Sequence, residues 1–264
     1  MIKEYLSKIV MNWRVLLKDR TYVISLLVGA LVIIGAYFFS YFVSVYHESL
    51  AASYISVGDF ILDSIPTYNL AFLDIWGFIM VLTAIFAYVV FYRPEKAPFA
   101  MKTFGILIIV RACFITLTNV GPPQGALLLE DIFVGTETFK KLFFENDLFF
   151  SGHTAIPFLA FLIFKDSKIF KWLMLAASVL MAVTVLLMHV HYSIDVFAAV
   201  FIAHGVYSLS NKIFNDLNVR FKKRIELYGW GSLQRRIGNL KDRYRGRKPV
   251  GGRVPVVPEV EKVD

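Results

Sequence analysis

Four residues in this chain combine types and spacing that suit acid–base and nucleophilic chemistry: Arg111, His153, His191 and Asp195. A spacing of four places His191 and Asp195 on one face of a helix, within hydrogen-bonding reach. A carboxylate that accepts from one imidazole nitrogen fixes the ring tautomer, and the other nitrogen keeps a lone pair for nucleophilic or general-base work. The pair is therefore a candidate nucleophile with its orienting carboxylate.

The segment Ser151-Gly152-His153 has the pattern of a helix start that binds an anion. Ser151 is the predicted N-cap, Gly152 permits close approach to the backbone, and free N–H groups at a helix start favour phosphate. A protonated His153 beside that site could give a proton to a leaving oxygen. Arg111 lies inside an apolar run, where desolvation is costly, so we expect it to meet either a phosphate or Asp195. Together these groups supply an acid, a nucleophile and an anion clamp.

The same residues admit other interpretations. A zinc ion held by the two histidines and the carboxylate is chemically possible, but no further ligand pair supports it, and no metal is predicted. The lone Cys113 excludes an intrachain disulfide and a cysteine-based metal site. Arg111 and Asp195 could form an internal ion pair that only holds two helices together. His189 is expected at a supporting or surface position, and His204 in a polar contact between helices.

The elements that must position these residues are predicted to be membrane helices. The chain has 264 residues, of which 57% are hydrophobic and 18% charged, and its mean hydropathy is +0.61. This is too apolar for an ordinary soluble domain. A bilayer core about 30 Å thick needs roughly 20 apolar residues per helix. The sequence predicts an all-α integral membrane protein with six transmembrane helices, at about 21–46, 74–93, 99–120, 150–164, 172–188 and 191–210.

Charge distribution predicts the orientation of these helices. All but three of the 28 Lys and Arg residues lie at the chain ends or in alternate connections, which marks that side, with both termini, as cytoplasmic. The first stretch is too long for a signal peptide. We therefore expect a cytoplasmic segment over 1–20, a six-helix catalytic domain over 21–210 and a partly disordered basic cytoplasmic tail over 211–264. Acidic residues mark the opposite, exoplasmic side: Glu48, Asp59, Asp63, Asp74, Glu130, Asp131, Glu137, Glu145, Asp147 and Asp195.

The basic tail bears on possible partners. The formal charge is +8, but it is concentrated at the chain ends instead of on a soluble face, so nucleic acid is not an expected partner. The tail could bind anionic lipids, each cation contributing about 1 kcal/mol near the surface, or it could serve only to fix topology.

The two histidine sites are predicted to share one membrane level, towards the exoplasmic side.

Over about 59–210, the chain resembles the sphingomyelin synthase family, a branch of the type 2 phosphatidic acid phosphatase superfamily. Both histidine motifs carry the resemblance most specifically, and two earlier segments support it. The matching segments are Asp147-Leu148-Phe149-Phe150-Ser151-Gly152-His153-Thr154, His191-Tyr192-Ser193-Ile194-Asp195, Asp59-Phe60-Ile61-Leu62-Asp63 followed by Pro66, and Arg111-Ala112-Cys113-Phe114-Ile115-Thr116 ending at Gly121-Pro122-Pro123.

The resemblance implies transfer of a phospho-head-group from a phospholipid to a lipid alcohol such as ceramide or diacylglycerol, without metal or cofactor. His191 would attack phosphorus, Asp195 would orient it, and His153 would protonate the departing alcohol and deprotonate the incoming one. Substrate binding would fall to Arg111, Ser151, Gly152 and Asp147. The resemblance also implies an active site that faces the exoplasmic leaflet.

Departures from the family pattern keep an alternative open. Glu145-Asn146-Asp147 stands where eukaryotic members commonly carry Cys-Gly-Asp. The alternative function is a lipid phosphate phosphatase or phospholipase C-like hydrolase that uses the same residues with water as acceptor. Such phosphatases normally carry Lys-x6-Arg-Pro and Ser-Arg motifs, and Met188-His189-Val190 precedes His191 here, which favours the transferase. A transporter is less consistent with reactive residues gathered towards one leaflet. The oligomeric state is not predicted.

Overall fold

The computed structural model describes residues 2–50, 54–118, 120–127, 149–229, 231 and 237–238. Within these residues the predicted all-α fold is confirmed: no strand is present, and one isolated bridge joins Ile55 and Val120. We number the helices α1 (Ile2–Leu17), α2 (Arg20–Leu50), α3 (Phe78–Tyr92), α4 (Ala97–Leu117), α5 (Gly152–Ile163), α6 (Phe170–Leu187) and α7 (Ser193–Tyr228).

Five of the described helices are long and apolar enough to cross a membrane: α2, α3 with the turn before it, α4, α6 and α7. Large apolar side chains face outward along them, including Leu31, Phe86 and Phe201. The fourth predicted span is different, because α5 has only 12 residues. At 1.5 Å per residue it is about 18 Å long, which is shorter than a bilayer core of about 30 Å.

Helices α2 and α4 pack closely along their length, and glycines permit the approach. A Cβ atom on Gly105 would lie 2.7 Å from Val32 Cγ1 and 3.2 Å from the Ile33 backbone nitrogen. Gly29 makes a similar contact, at 3.0 Å from Met101 Cβ. Small residues at such crossings are typical of membrane helix pairs, where backbone packing replaces the hydrophobic effect.

A buried core lies where α5 packs against α6 and α7. Leu159 of α5 is fully buried there, beside Phe164 just after α5 and Ala199 and Ala203 of α7. Pro157 lies inside α5 and lacks the N–H that would bond the carbonyl oxygen of His153. The core thus holds the first turns of α5 and α7 in one region.

The connection between α3 and α4 joins the connection between α5 and α6 through charged side chains. Arg93 pairs with Glu95 at 2.6 Å and with Asp166 at 3.0 Å, and Lys96 reaches Asp166 at 2.9 Å. Burial acts to raise the pKa of Asp166, but hydrogen bonds and charge from Lys96 and Arg93 outweigh it and lower the pKa to about 2. Asp166 is therefore anionic at neutral pH and ties the two connections together.

Described helices extend beyond both bounds of the predicted membrane domain, 21–210. The segment over 1–20 contains α1, whose Trp13 Nε1 donates to Val90 O at 2.9 Å, and Leu16 packs with Tyr22 and Phe221. Helix α7 continues to Tyr228, past the predicted end of the sixth span at 210. The part of the basic tail that was expected to be disordered, over 251–264, lies outside the described residues.

Candidate active site

His191 and Asp195 make the predicted contact, with Nδ1 of the ring 3.4 Å from Oδ2 of the carboxylate. The prediction that the two residues share one face of a helix is wrong, because α7 begins at Ser193 and His191 lies before it. Asp195 is in the first turn, and its Oδ2 accepts a hydrogen bond from the N–H of the N-cap residue Tyr192 at 3.0 Å. This capping contact folds the chain back, so that His191 meets the carboxylate. Both side chains are buried.

The start of α5 lies directly against this turn. Ser151 is the N-cap, as predicted, and its Oγ accepts from the Thr154 N–H at 3.3 Å. The backbone N–H of Ser151 donates to the carbonyl oxygen of Asp195 at 3.2 Å, so main-chain hydrogen bonding joins the two helix starts. Phe150, just before, has a φ of 40°, a left-handed conformation that is costly for a bulky side chain. Such strain is typical of functional sites.

Arg111 reaches the same helix start from α4. Its Nε donates to the carbonyl oxygen of Phe150 at 3.1 Å. A Cβ atom on Gly152 would lie 3.6 Å from that Nε, an ordinary contact distance, so the guanidinium lies beside the first turn of α5. A guanidinium next to a helix N-terminus is an arrangement suited to phosphate oxygens.

His153 lies in the first turn of α5 and faces a carboxylate that sequence reasoning missed. Its Nε2 is 3.6 Å from Oδ1 of Asp74, and the ring centroids of His153 and Phe78 are 4.2 Å apart. His153 is also within electrostatic range of His191 and Arg111. The sequence places Asp74 among the exoplasmic loop acids, yet it is only 5% exposed. The available signal is a carboxylate that opens an apolar run, where burial would require a partner.

Asp59 supports the site from the loop between α2 and α3. Its carboxylate accepts from the Ser193 N–H at 2.7 Å and from Ser193 Oγ at 3.0 Å, which caps the start of α7. Burial acts to raise the pKa of Asp59, but hydrogen bonds from Ser193, Leu62 and Ile61 outweigh it and lower the pKa below its ordinary value. An anionic Asp59 therefore stabilises the turn that carries His191.

Tyr192 fixes the same turn from its other side. Its hydroxyl donates to the carbonyl oxygen of Gly121 at 2.8 Å and accepts from the Val57 N–H at 3.1 Å. A cavity of about 390 Å³ lies between these loops and the start of α7, with Asp195 in its wall. Its lining is mainly apolar, including Phe60, Phe149 and Ile194. An apolar cavity beside a buried carboxylate suits the hydrophobic part of a lipid.

His189 and His204 have other surroundings. His189 is buried, has a φ of 54°, and its Nδ1 is 3.3 Å from the carbonyl oxygen of Gln124. His204 is exposed on α7, so the expected polar contact between helices is wrong. Asp147, a predicted substrate-binding residue, lies outside the described residues. Among the residues that can be described, no three His, Cys, Asp or Glu side chains are grouped as metal ligands.

The fold and this site define a class: an all-helical protein with several membrane-compatible helices and two histidines, two carboxylates and an arginine gathered at helix ends. Residues 146–212 match the family described as PAP2 superfamily C-terminal. This range holds α5, α6 and the first half of α7, with His153, His191 and Asp195. The match supports the type 2 phosphatidic acid phosphatase superfamily, whose members are phosphatases or phosphotransferases. No curated protein and no solved structure matches the chain.

Proposed function

We propose that the protein is a membrane phosphotransferase that moves a phospho-head-group from a phospholipid to a lipid alcohol, ceramide or diacylglycerol, as sphingomyelin synthases do. The observation that carries this proposal is the buried His191–Asp195 pair, joined by hydrogen bonding to the helix start that bears His153. We place the site on the exoplasmic side, because the basic chain ends and connections mark the other side as cytoplasmic.

In the first half-reaction, Nε2 of His191 attacks phosphorus while Nδ1 stays against Asp195. The bond from phosphorus to the glycerol oxygen breaks, and His153 gives its proton to that oxygen. Diacylglycerol leaves, and the phospho-head-group stays on His191. Arg111 and the N–H groups at the start of α5 neutralise the phosphate oxygens as charge redistributes.

In the second half-reaction, the acceptor alcohol gives its proton to His153, its oxygen bonds to phosphorus, and the bond to His191 breaks. Transfer instead of hydrolysis requires that water be kept from the intermediate. The low exposure of His191, 7%, and of Asp195, 2%, favours this outcome, as does the apolar cavity beside Asp195.

The test is lipid mass spectrometry on the purified full-length protein in liposomes that contain ceramide or diacylglycerol and mixed phospholipid donors. We expect a new head-group-bearing lipid in the presence of chelator, which His191→Ala and His153→Ala both abolish. His204→Ala is the matched control, since this exposed histidine on α7 is outside the site.

Substantial turnover in His191→Ala would rule out the covalent role. Donor loss that yields only diacylglycerol and free phospho-head-group, or inorganic phosphate from a lipid phosphate, would make the protein a hydrolase with the same site.

A further inference from the structure

Asp74 is a buried carboxylate whose position the fold must explain. It lies in a five-residue π-helical turn, Leu73–Gly77, directly before α3, and its side chain is 6% exposed. Its Oδ1 has no hydrogen-bond partner among the described residues. A buried carboxylate oxygen without a hydrogen bond is costly, and π turns are frequent at functional sites. These observations indicate that Asp74 is retained for a purpose other than stability.

The group that faces Asp74 is the imidazole of His153. The distance from Oδ1 to Nε2 is 3.6 Å, slightly longer than a hydrogen bond, and Nε2 also has no hydrogen-bond partner within the described part of the chain. Phe78, four residues after Asp74, packs on the same ring. The π turn and the first turn of α3 therefore hold one imidazole with both a carboxylate and an aromatic ring.

Charge explains why this histidine needs a carboxylate. Burial acts most strongly against a positive charge on His153, and His191 and Arg111 act in the same direction, whereas Asp74 favours the charge. An acid that serves a leaving alcohol must be protonated before the bond to phosphorus breaks. Next to a guanidinium and inside an apolar core, an imidazole requires a negative neighbour to hold that proton.

We propose that Asp74 is the positioning residue for His153: it orients the ring and stabilises its protonated form, so that His153 can serve as the acid for the leaving alcohol. This inference rests on the proposed function. The proton passes from His153 to the glycerol oxygen as the bond from phosphorus to oxygen breaks, and it returns from the acceptor hydroxyl in the second half-reaction. Asp74 forms no covalent bond in either half-reaction.

The test compares two leaving groups in the full-length protein. One substrate is the phospholipid that the wild type turns over, whose alkoxide must be protonated. The other is p-nitrophenyl phosphocholine or p-nitrophenyl phosphoethanolamine, matched to that head group, whose nitrophenolate leaves without a proton. Because general acid catalysis contributes about 100-fold or more, we expect Asp74→Asn to lower kcat on the phospholipid about 100-fold. On the nitrophenyl ester we expect the rate of the first nitrophenolate release, read from the burst that precedes the second half-reaction, to fall by less than about tenfold, since that step needs no acid.

Asp63→Asn, an exposed acid in the same loop region, is the matched control and should leave both rates unchanged. Asp74→Ser gives the same comparison should Asp74→Asn fail to fold. Equal losses on both substrates would assign Asp74 a purely structural role and overturn the proposal. A wild-type rate of Asp74→Asn on the phospholipid would overturn it as well. If the wild type turns over neither substrate, the proposed function itself fails, and this inference fails with it.

Discussion

At the level of single residues, main-chain groups position the candidate site as much as side chains do. The Asp195 carboxylate accepts from a backbone N–H, and the Asp195 carbonyl oxygen accepts from the backbone of Ser151. The carbonyl oxygen of Phe150 holds the guanidinium of Arg111. Groups fixed by helix starts lose little freedom when substrate binds, and such preorganisation is the main source of electrostatic catalysis.

The guanidinium geometry leads to a prediction for Arg111→Lys. Lysine keeps the charge, but it cannot bond the Phe150 carbonyl through one nitrogen while offering a planar pair of donors to phosphate. We expect kcat to fall by about 100-fold, in the range found for loss of one transition-state donor. Steady-state kinetics in liposomes would measure this, with Arg220→Lys, an exposed arginine on α7, as the control. A rate within twofold of wild type would contradict the assigned role.

At the level of elements, helix starts and an irregular turn carry most of the candidate site, and the long helix α4 adds Arg111. Helix α5 has 12 residues and starts at the site, Asp74 lies in a π turn, and His191 precedes α7. The long helices α2 and α4 pack together on the side of the bundle that supplies Arg111. Their contact depends on glycine, so it offers a test of the fold that is separate from chemistry.

We predict different effects on thermal stability for two glycine substitutions, one on α4 and one on α2. Gly105→Ala would place Cβ 2.7 Å from Val32 Cγ1 and 3.2 Å from the Ile33 backbone nitrogen, which must force the helices apart. The expected cost is about 1–3 kcal/mol, as for other overpacked contacts. Gly35→Ala has nothing within 4 Å and should be neutral or slightly stabilising, because alanine favours helix over glycine. Thermal unfolding in detergent would measure both midpoints, and equal midpoints would argue against the α2–α4 packing.

At the level of the whole molecule, the distribution of charge distinguishes the two sides on which the helices end. The basic residues of α1 and of the last turns of α7 are on one side, where the two helices pack through Leu16, Tyr22 and Phe221. The candidate site is at the other ends of the helices, beside the loop that carries Asp59. This arrangement underlies the proposed exoplasmic orientation.

Orientation is open to direct measurement by cysteine labelling. In a Cys113→Ser background, a membrane-impermeant maleimide should label Asp63→Cys in intact cells, because that exposed residue is on the proposed exoplasmic side. Lys168→Cys, exposed between α5 and α6, should react only after permeabilisation. The reverse pattern would place the candidate site on the cytoplasmic side.

The helical fold and two parts of the site were predictable because they depend on short-range signals. Long apolar runs indicate helices, and Ser151 before Gly152 indicates a helix start. The contact between His191 and Asp195 was also predicted, although the capping turn before α7 forms it, and not a shared helix face. A separation of four residues keeps two side chains close together both on a helix face and in a capping turn, so the spacing predicted the contact in either case.

The amino-acid sequence by itself determined the long apolar helices and which residues are candidates for chemistry, since local hydropathy and spacing carry that information. Tertiary structure alone decided that Asp74 faces His153, that Phe150 holds Arg111 and that α1 docks beside α7. Each of these contacts joins elements far apart in the chain, so no periodic pattern encodes it. Such contacts form only when buried packing brings the helix ends together, because distant residues meet through the whole core and not through their neighbours in sequence.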